Sequence, residues 1–66
     1  MKMFLNGKET DLEKSLTIQE LLKKMQIKPE MVACEVNLKI IKRSEFNQFT
    51  ISEGDHIEIL QMIGGG

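Results

Sequence analysis

The sequence is poor in the residues that build aromatic stacking surfaces and covalent cross-links. It has no Trp and no Tyr, three Phe, one Cys and one Pro among its 66 residues. The shortage of aromatic rings argues against a single-stranded nucleic acid binder, because such proteins stack bases on aromatic side chains. The single Cys excludes an internal disulfide, which a domain this small usually needs in an oxidising compartment. We therefore expect a cytoplasmic protein.

An excess of one charge and long apolar runs are also missing. Lys and Arg total 9 against 10 Asp and Glu, and the two signs are mixed along the chain. Phosphate binding normally needs clustered basic residues, so we expect no nucleic acid partner. No apolar run approaches the roughly 20 residues that span a bilayer, and the N-terminus has no signal-like segment, so we expect no membrane partner.

The length of the chain limits the functions it can perform. A domain of this size hides only about 60% of the surface that its unfolded chain exposes, so its core must be small. A deep pocket walled by several convergent polar groups is difficult to build around such a core. The size therefore favours a carrier, adaptor or binding module over an enzyme.

The first segment predicts a β-hairpin. Asn6-Gly7 is a strong signal for a two-residue turn, because both central positions of that turn need a positive φ. The two strands are predicted at Lys2–Leu5 and Lys8–Leu12.

A helix is predicted to follow the hairpin. Thr17 and Glu20 have the spacing of a capping box, which satisfies the first free N–H groups of a helix. An apolar stripe follows at positions i, i+3, i+4 and i+7, formed by Ile18, Leu21, Leu22 and Met25. Pro29 is predicted to end the helix, because the residue before a proline is disfavoured in helical conformation.

The second half predicts three more strands. The β-branched composition indicates strands at Val32–Val36 and Ile40–Lys42, with Asn37 in the turn between them. Residues 56–63 form the last strand, and a single helical turn before it carries two aromatic side chains. One face of the third strand is predicted to carry Val32, Cys34 and Val36, one face of the last strand Ile57, Ile59 and Ile63, and the helical turn Phe46 and Phe49.

This order of elements predicts an α+β fold of the β-grasp type. A mixed sheet of about five strands would have one main helix on one face. The last strand is the most hydrophobic and is therefore expected at the centre of the sheet, parallel to the first strand. We assign residues 1–63 to the β-grasp domain and residues 64–66 to a flexible glycine tail.

The three glycines at the end of the sequence suggest a chemical role. Gly64, Gly65 and Gly66 carry no side chain, so such a segment can extend through a narrow slot in another protein. The distinctive group that the tail delivers is the carboxylate of Gly66. An enzyme could activate that carboxylate as an acyl adenylate, and no side chain would obstruct attack on it. The pattern indicates a carrier or a tag and leaves the cargo open.

The whole chain resembles the ThiS family, the small sulfur carriers of thiamine (thiazole) biosynthesis in the ubiquitin-like β-grasp group. The resemblance rests on "LNGK", "LTIQELL", "ACEVN" with "IIKRSEF", "EGDHIEIL" and the terminal "GGG", in that order. It implies a protein that is not itself an enzyme and binds no cofactor. A ThiF-like adenylating enzyme, using ATP and magnesium, would activate Gly66, and Gly65 would complete the family's terminal pair. Sulfur obtained from cysteine through a desulfurase would form a thiocarboxylate that donates sulfur to thiazole synthase.

Three other functions remain open from the sequence. The small subunit of molybdopterin synthase shares the glycine terminus and gives its sulfur to a pterin precursor. A ubiquitin-like modifier would join the same carboxylate to lysines of target proteins. A β-grasp recognition module would work without its terminal glycines.

Four side chains outside the tail are also candidates for a functional role. Leu60 and Met62 are predicted on the open side of the sheet, where they could dock partner proteins. Cys34 is interpreted as a buried structural residue and His56 as a surface residue, with no metal site. We expect a monomer that forms transient complexes.

Overall fold

A computed structural model describes residues 1–62 and shows five strands, one α-helix and two short 3₁₀-helices. The strands are β1 (Lys2–Leu5), β2 (Lys8–Asp11), β3 (Val32–Val36), β4 (Lys39–Ile41) and β5 (His56–Gln61), and the helix is α1 (Ile18–Lys24). The 3₁₀-helices span Pro29–Met31 and Arg43–Glu45. Ile63 and the three glycines lie outside the described residues, so the predicted domain boundary after residue 63 stays a prediction.

The sheet has the predicted β-grasp arrangement, with strand order β2-β1-β5-β3-β4. β5 lies at the centre, parallel to β1 and antiparallel to β3, and the two hairpins form the edges of the sheet. The helix packs on one face of this sheet, and the other face is left open. The central position of β5 bears on the candidate site, because only two residues separate the end of β5 from the three glycines in the sequence.

The core lies between the helix and the covered face of the sheet. Alternation along β3 and β5 directs every second side chain into it. As predicted, Leu21 and Leu22 are buried, and so is Phe46 from the segment after β4. The buried apolar residues are Met3, Leu12, Ile18, Leu21, Leu22, Val32, Cys34, Val36, Phe46, Ile51, Ile57 and Ile59.

The helix begins as predicted and ends earlier than predicted. The Thr17 hydroxyl accepts a hydrogen bond from the Glu20 N–H (3.1 Å), and the Glu20 carboxylate accepts one from the Thr17 N–H (2.9 Å), which completes the capping box. The prediction that Pro29 ends the helix was wrong. The helix ends at Lys24, and Gln26 takes a left-handed conformation (φ 61°) that reverses the chain before Pro29 is reached.

The early end of the helix also moves Met25 out of the core. Met25 is 38% exposed, so the predicted apolar stripe loses its fourth member. Phe49 packs against the core as predicted and is half-buried there.

Three strands differ from their predicted ranges. The last strand, predicted over residues 56–63, ends at Gln61, and Met62 lies beyond it. β2 and β4 differ from the predictions by one residue. β2 ends at Asp11, and Leu12 leaves the strand to enter the core. β4 begins and ends one residue before its predicted range. The reason is the β3–β4 turn, in which Asn37 and Leu38 both have positive φ values (52° and 72°), as a two-residue turn requires.

Candidate functional site

The candidate site has two parts, the three glycines at the end of the chain and the open face of the sheet beside them. Gly64, Gly65 and Gly66 lie outside the described residues, so the structure does not test their predicted role. It does place Met62, the last described residue, directly after the central strand. The glycines therefore follow the central strand β5. The main chain of β5 pairs with β3 on one side and, at the start of the strand, with β1 on the other.

Leu60 and Met62 lie where the sequence predicted them, on the face of the sheet opposite the helix. Each is 49% exposed, whereas Ile57 and Ile59 alternate with them and are buried. Leu60 stands opposite Ala33 in the antiparallel pairing of β5 with β3. Met62 continues that pairing beyond the strand, because its N–H donates to the Met31 carbonyl (3.0 Å).

The structure adds a neighbour that the sequence analysis did not identify. Ile40 is 73% exposed and lies opposite Glu35, whose side chain shares the open face with Ala33. Ala33 and Leu60 are direct cross-strand neighbours on this face, Ile40 lies diagonally across from Ala33, and Met62 follows β5; we call these four residues the open-face patch. Ala33, Ile40 and Leu60 come from three different strands, and only the register of those strands places them near one another, so the alternation along one strand could not have revealed the patch.

Acidic and aromatic side chains lie beside the open-face patch. Glu35 of β3 stands directly opposite Glu58 of β5. Further along β5, the His56 ring stacks on Phe4 of β1, with ring centroids 4.4 Å apart. His56 is exposed, as predicted, and residues 1–62 hold no group of side chains suited to bind a metal ion.

Asn6 has a role that the sequence analysis missed. Its main chain forms the predicted turn (φ 51°), and its side-chain Oδ1 accepts a hydrogen bond from the Ile59 N–H of β5 (2.8 Å). The Asn6 N–H in turn donates to the Ile57 carbonyl (2.8 Å). The Asn-Gly pair signals the turn, but only the tertiary structure shows that the same side chain binds the strand leading to the glycines.

Cys34 is buried in the core, on the face of β3 that also carries Val32 and Val36. Burial raises the pKa of its thiol above the usual value near 9, so the reactive thiolate is disfavoured. This agrees with the interpretation of Cys34 as a structural residue and argues against a sulfur-relay role.

The model of the ThiS family matches residues 3–66 of this chain. The chain belongs to the ThiS family. This membership confirms the family predicted from the sequence.

Individual relatives agree with the family assignment. The sulfur carrier protein ThiS of Bacillus subtilis is 36% identical over 63 residues, covering 94% of this chain and 96% of that protein. The crystal structure of a thiamine biosynthesis protein (ThiS) from Geobacter metallireducens superposes with a TM-score of 0.87 at 33% identity, covering all of both chains. A thiazole synthase of Paramagnetospirillum magneticum is 38% identical over 66 residues, but this chain spans only 20% of its length.

Among residues 1–62, no helix is both long and apolar enough to cross a membrane.

Proposed function

We propose that this chain carries sulfur as a thiocarboxylate on Gly66 and delivers it for thiazole formation in thiamine biosynthesis. The observation that carries the proposal is the match to the ThiS family over residues 3–66, a range that includes all three glycines. The fold supports it, because the central strand β5 leads into those glycines. Cys34 is buried, which leaves the glycine carboxylate as the better candidate for the sulfur-bearing group.

The chemistry requires activation of the carboxylate by another enzyme. A ThiF-like adenylating enzyme, using ATP and magnesium, would join the Gly66 carboxylate to AMP and release pyrophosphate. The terminal sulfur of a persulfide, derived from cysteine by a desulfurase, would then displace AMP. A thiol would cleave the resulting S–S bond, leaving the thiocarboxylate on Gly66 and a disulfide on the donor. The chain would thus be a substrate of enzymes and not a catalyst, with no bound cofactor of its own.

The recipient of the sulfur would be thiazole synthase. In the Paramagnetospirillum magneticum relative, a single chain named thiazole synthase contains a region similar to this entire chain. That similarity supports the pairing of the two proteins. We propose that the open-face patch, with Leu60 and Met62 nearest to the glycines, docks both this enzyme and the adenylating enzyme, and that the chain works as a cytoplasmic monomer.

The direct test is the intact mass of the purified protein after incubation with ATP, magnesium, the adenylating enzyme, a cysteine desulfurase, cysteine and a thiol. We expect a gain equal to the exchange of one oxygen for one sulfur, located at Gly66 by fragmentation. Adding thiazole synthase with its other substrates should remove the sulfur again. No gain in mass with enzymes of demonstrated activity would contradict the proposal.

The matched variants are Gly66→Val and Lys14→Val. Gly66→Val places a branched side chain beside the reacting carbon and should abolish sulfur loading, whereas Lys14→Val introduces the same side chain at an exposed position of the domain and should load normally. Normal loading of Gly66→Val would refute the steric argument. Recovery of lysine conjugates without a thiocarboxylate would instead favour a protein modifier.

A further inference from the structure

The main chain of β5 changes its hydrogen-bonding environment along its length. Its pairing with β3 continues to Gln61, and the Met62 N–H extends it with a bond to the Met31 carbonyl. The Asn37 N–H donates to the His56 carbonyl at the other end of the same pairing (2.8 Å). Hydrogen-bonded pairs alternate in an antiparallel ladder, so the even-numbered residues 56–62 direct their main-chain groups toward β3. The odd-numbered residues direct theirs toward β1.

The pairing of β5 with β1 stops much earlier. It covers Phe4 with His56 and Leu5 with Ile57, after which β1 turns away at Asn6. The Asn6 N–H still donates to the Ile57 carbonyl, and the Asn6 side-chain oxygen accepts the bond from the Ile59 N–H that a strand carbonyl would otherwise accept. Asn6 is therefore the last partner of β5 on this side.

Beyond Asn6, three main-chain groups of β5 face a position that β1 does not fill. They are the Ile59 carbonyl, the Gln61 N–H and the Gln61 carbonyl, and we call them the open edge. Within residues 1–62, no hydrogen bond satisfies the Gln61 N–H. A row of such groups is the standard site for the addition of another strand.

The side chains beside the open edge differ from those on the outer strands of the sheet. Natural proteins usually protect exposed edges with charged residues. Strand β2 follows this rule with the sequence KETD, and β4 begins with Lys39 and is followed by Lys42. Residues 60–62 read Leu-Gln-Met and carry no charge, and two of the three are exposed apolar side chains. The open edge therefore lacks the protection that the true edges of this sheet have.

We propose that the open edge binds an extended main-chain segment of the adenylating enzyme, which adds to the sheet beside β5 where the pairing with β1 ends. This inference rests on the proposed function, since it specifies how that enzyme would hold the strand that leads to Gly66. A parallel segment would bond to the Ile59 carbonyl and the Gln61 N–H, and an antiparallel one to both main-chain groups of Gln61. Either way the Gln61 N–H is engaged. Leu60 and Met62 would contact the same partner from the open face.

Amide hydrogen exchange of the full chain, alone and with its adenylating enzyme, tests this directly. In the free protein the Gln61 amide should exchange much faster than the neighbouring Met62 amide, which is already bonded to Met31. Binding of the enzyme should slow exchange at Gln61 by roughly tenfold or more. Unchanged exchange at Gln61 in a saturated complex would overturn the proposal. So would protection of the free protein that grows with its concentration, because the occupant would then be a second copy.

Two substitutions of Gln61 distinguish the contribution of its main-chain N–H from that of its side chain. Gln61→Pro removes the N–H that faces the open edge and leaves the bonds to β3 in place, since Gln61 and Val32 form a non-hydrogen-bonded pair. Gln61→Ala keeps the N–H. We expect Gln61→Pro to bind the adenylating enzyme roughly tenfold more weakly than Gln61→Ala.

The spectrum and thermal unfolding of each variant report whether the fold is intact. Should Gln61→Pro prove unstable, N-methylation of the Gln61 amide by chemical synthesis blocks the same atom and must give the same loss of binding. Equal binding by the blocked and unblocked forms overturns the open-edge proposal. If the blocked and unblocked forms bind equally and both still acquire sulfur, only the open-edge proposal fails and the proposed function stands. A wild-type chain that acquires no sulfur contradicts the proposed function itself.

Discussion

The two faces of the sheet are built from the same strands and have different tasks. On the covered face, Cys34 and Ile57 pack against the helix and are fully buried. On the open face, one residue away along each strand, Glu35 and Glu58 stand opposite each other, and Leu60 is half exposed. Since burial of apolar surface is the main source of stability, we expect the covered face to supply most of the stability of this small domain and the open face to contribute little.

This contrast can be tested by comparing how fast a single thiol reacts when it lies on the covered face and when it lies on the open face. Cys34 is 0% exposed, so a thiol reagent reaches it only when the domain opens. A Cys34→Ala, Glu58→Cys double variant carries its single thiol on the open face of the same sheet. With a stability of about 5 kcal/mol, the wild-type thiol should react on the order of a thousandfold more slowly than the thiol at position 58. Similar rates, measured by mass spectrometry in native buffer, would mean that Cys34 is accessible.

Truncating one leucine of each kind tests the same contrast through stability. Leu22 of α1 packs on the covered face, and Leu22→Ala should lower the free energy of unfolding by about 2 to 5 kcal/mol. Leu60→Ala is the matched control on the open face and should change it by about 0.5 kcal/mol or less. Denaturant unfolding with a common m-value measures both. A loss at Leu60 as large as that at Leu22 would show that the open face belongs to a second core.

How much of this was visible in the sequence depends on how local each signal is. The turn at Asn6 and the capping box of Thr17 and Glu20 are specified by neighbouring residues, and both were predicted correctly. The end of the helix was not, because Pro29 is a conspicuous signal whereas nothing in the composition marks Gln26 as the residue that adopts a left-handed conformation.

The open-face patch could be predicted only in part from the sequence. Alternation along β5 located Leu60 and Met62 correctly, yet Ile40 joins them only through the pairing of β4 with β3. The hydrogen bond from the Ile59 N–H to Asn6 spans 53 positions of the sequence and has no local signature. Features that depend on strand register needed the structure, because residues far apart in the sequence meet only when the strands pair.

Strain in the turn joining β3 to β4 can be tested at Leu38. Leu38 is 91% exposed and has a positive φ of 72°, which costs a non-glycine residue roughly 1 kcal/mol. The corresponding position of the β1–β2 turn holds Gly7, with a φ of 80°. Leu38→Gly should therefore raise the free energy of unfolding by about 0.5 to 1 kcal/mol, because strain is relieved and no packing is lost. Leu38→Ala, which keeps the strain, is the control, and a destabilised Leu38→Gly variant would show that Leu38 contributes contacts to the fold.

The pH dependence of stability should differ between the wild type and Cys34→Ala only in alkaline solution. Burial raises the pKa of Cys34 above its usual value near 9. As the pH rises past 9, the unfolded chain releases the thiol proton while the folded chain retains it. The folded state then binds more protons, so the free energy of unfolding falls with increasing pH. Cys34→Ala should lack this part of the decline, while the lysines common to both proteins contribute equally. Unfolding measured between pH 7 and 10 should thus show a steeper alkaline loss for the wild type, and parallel curves would mean that Cys34 ionises as readily in the folded protein as in the unfolded chain.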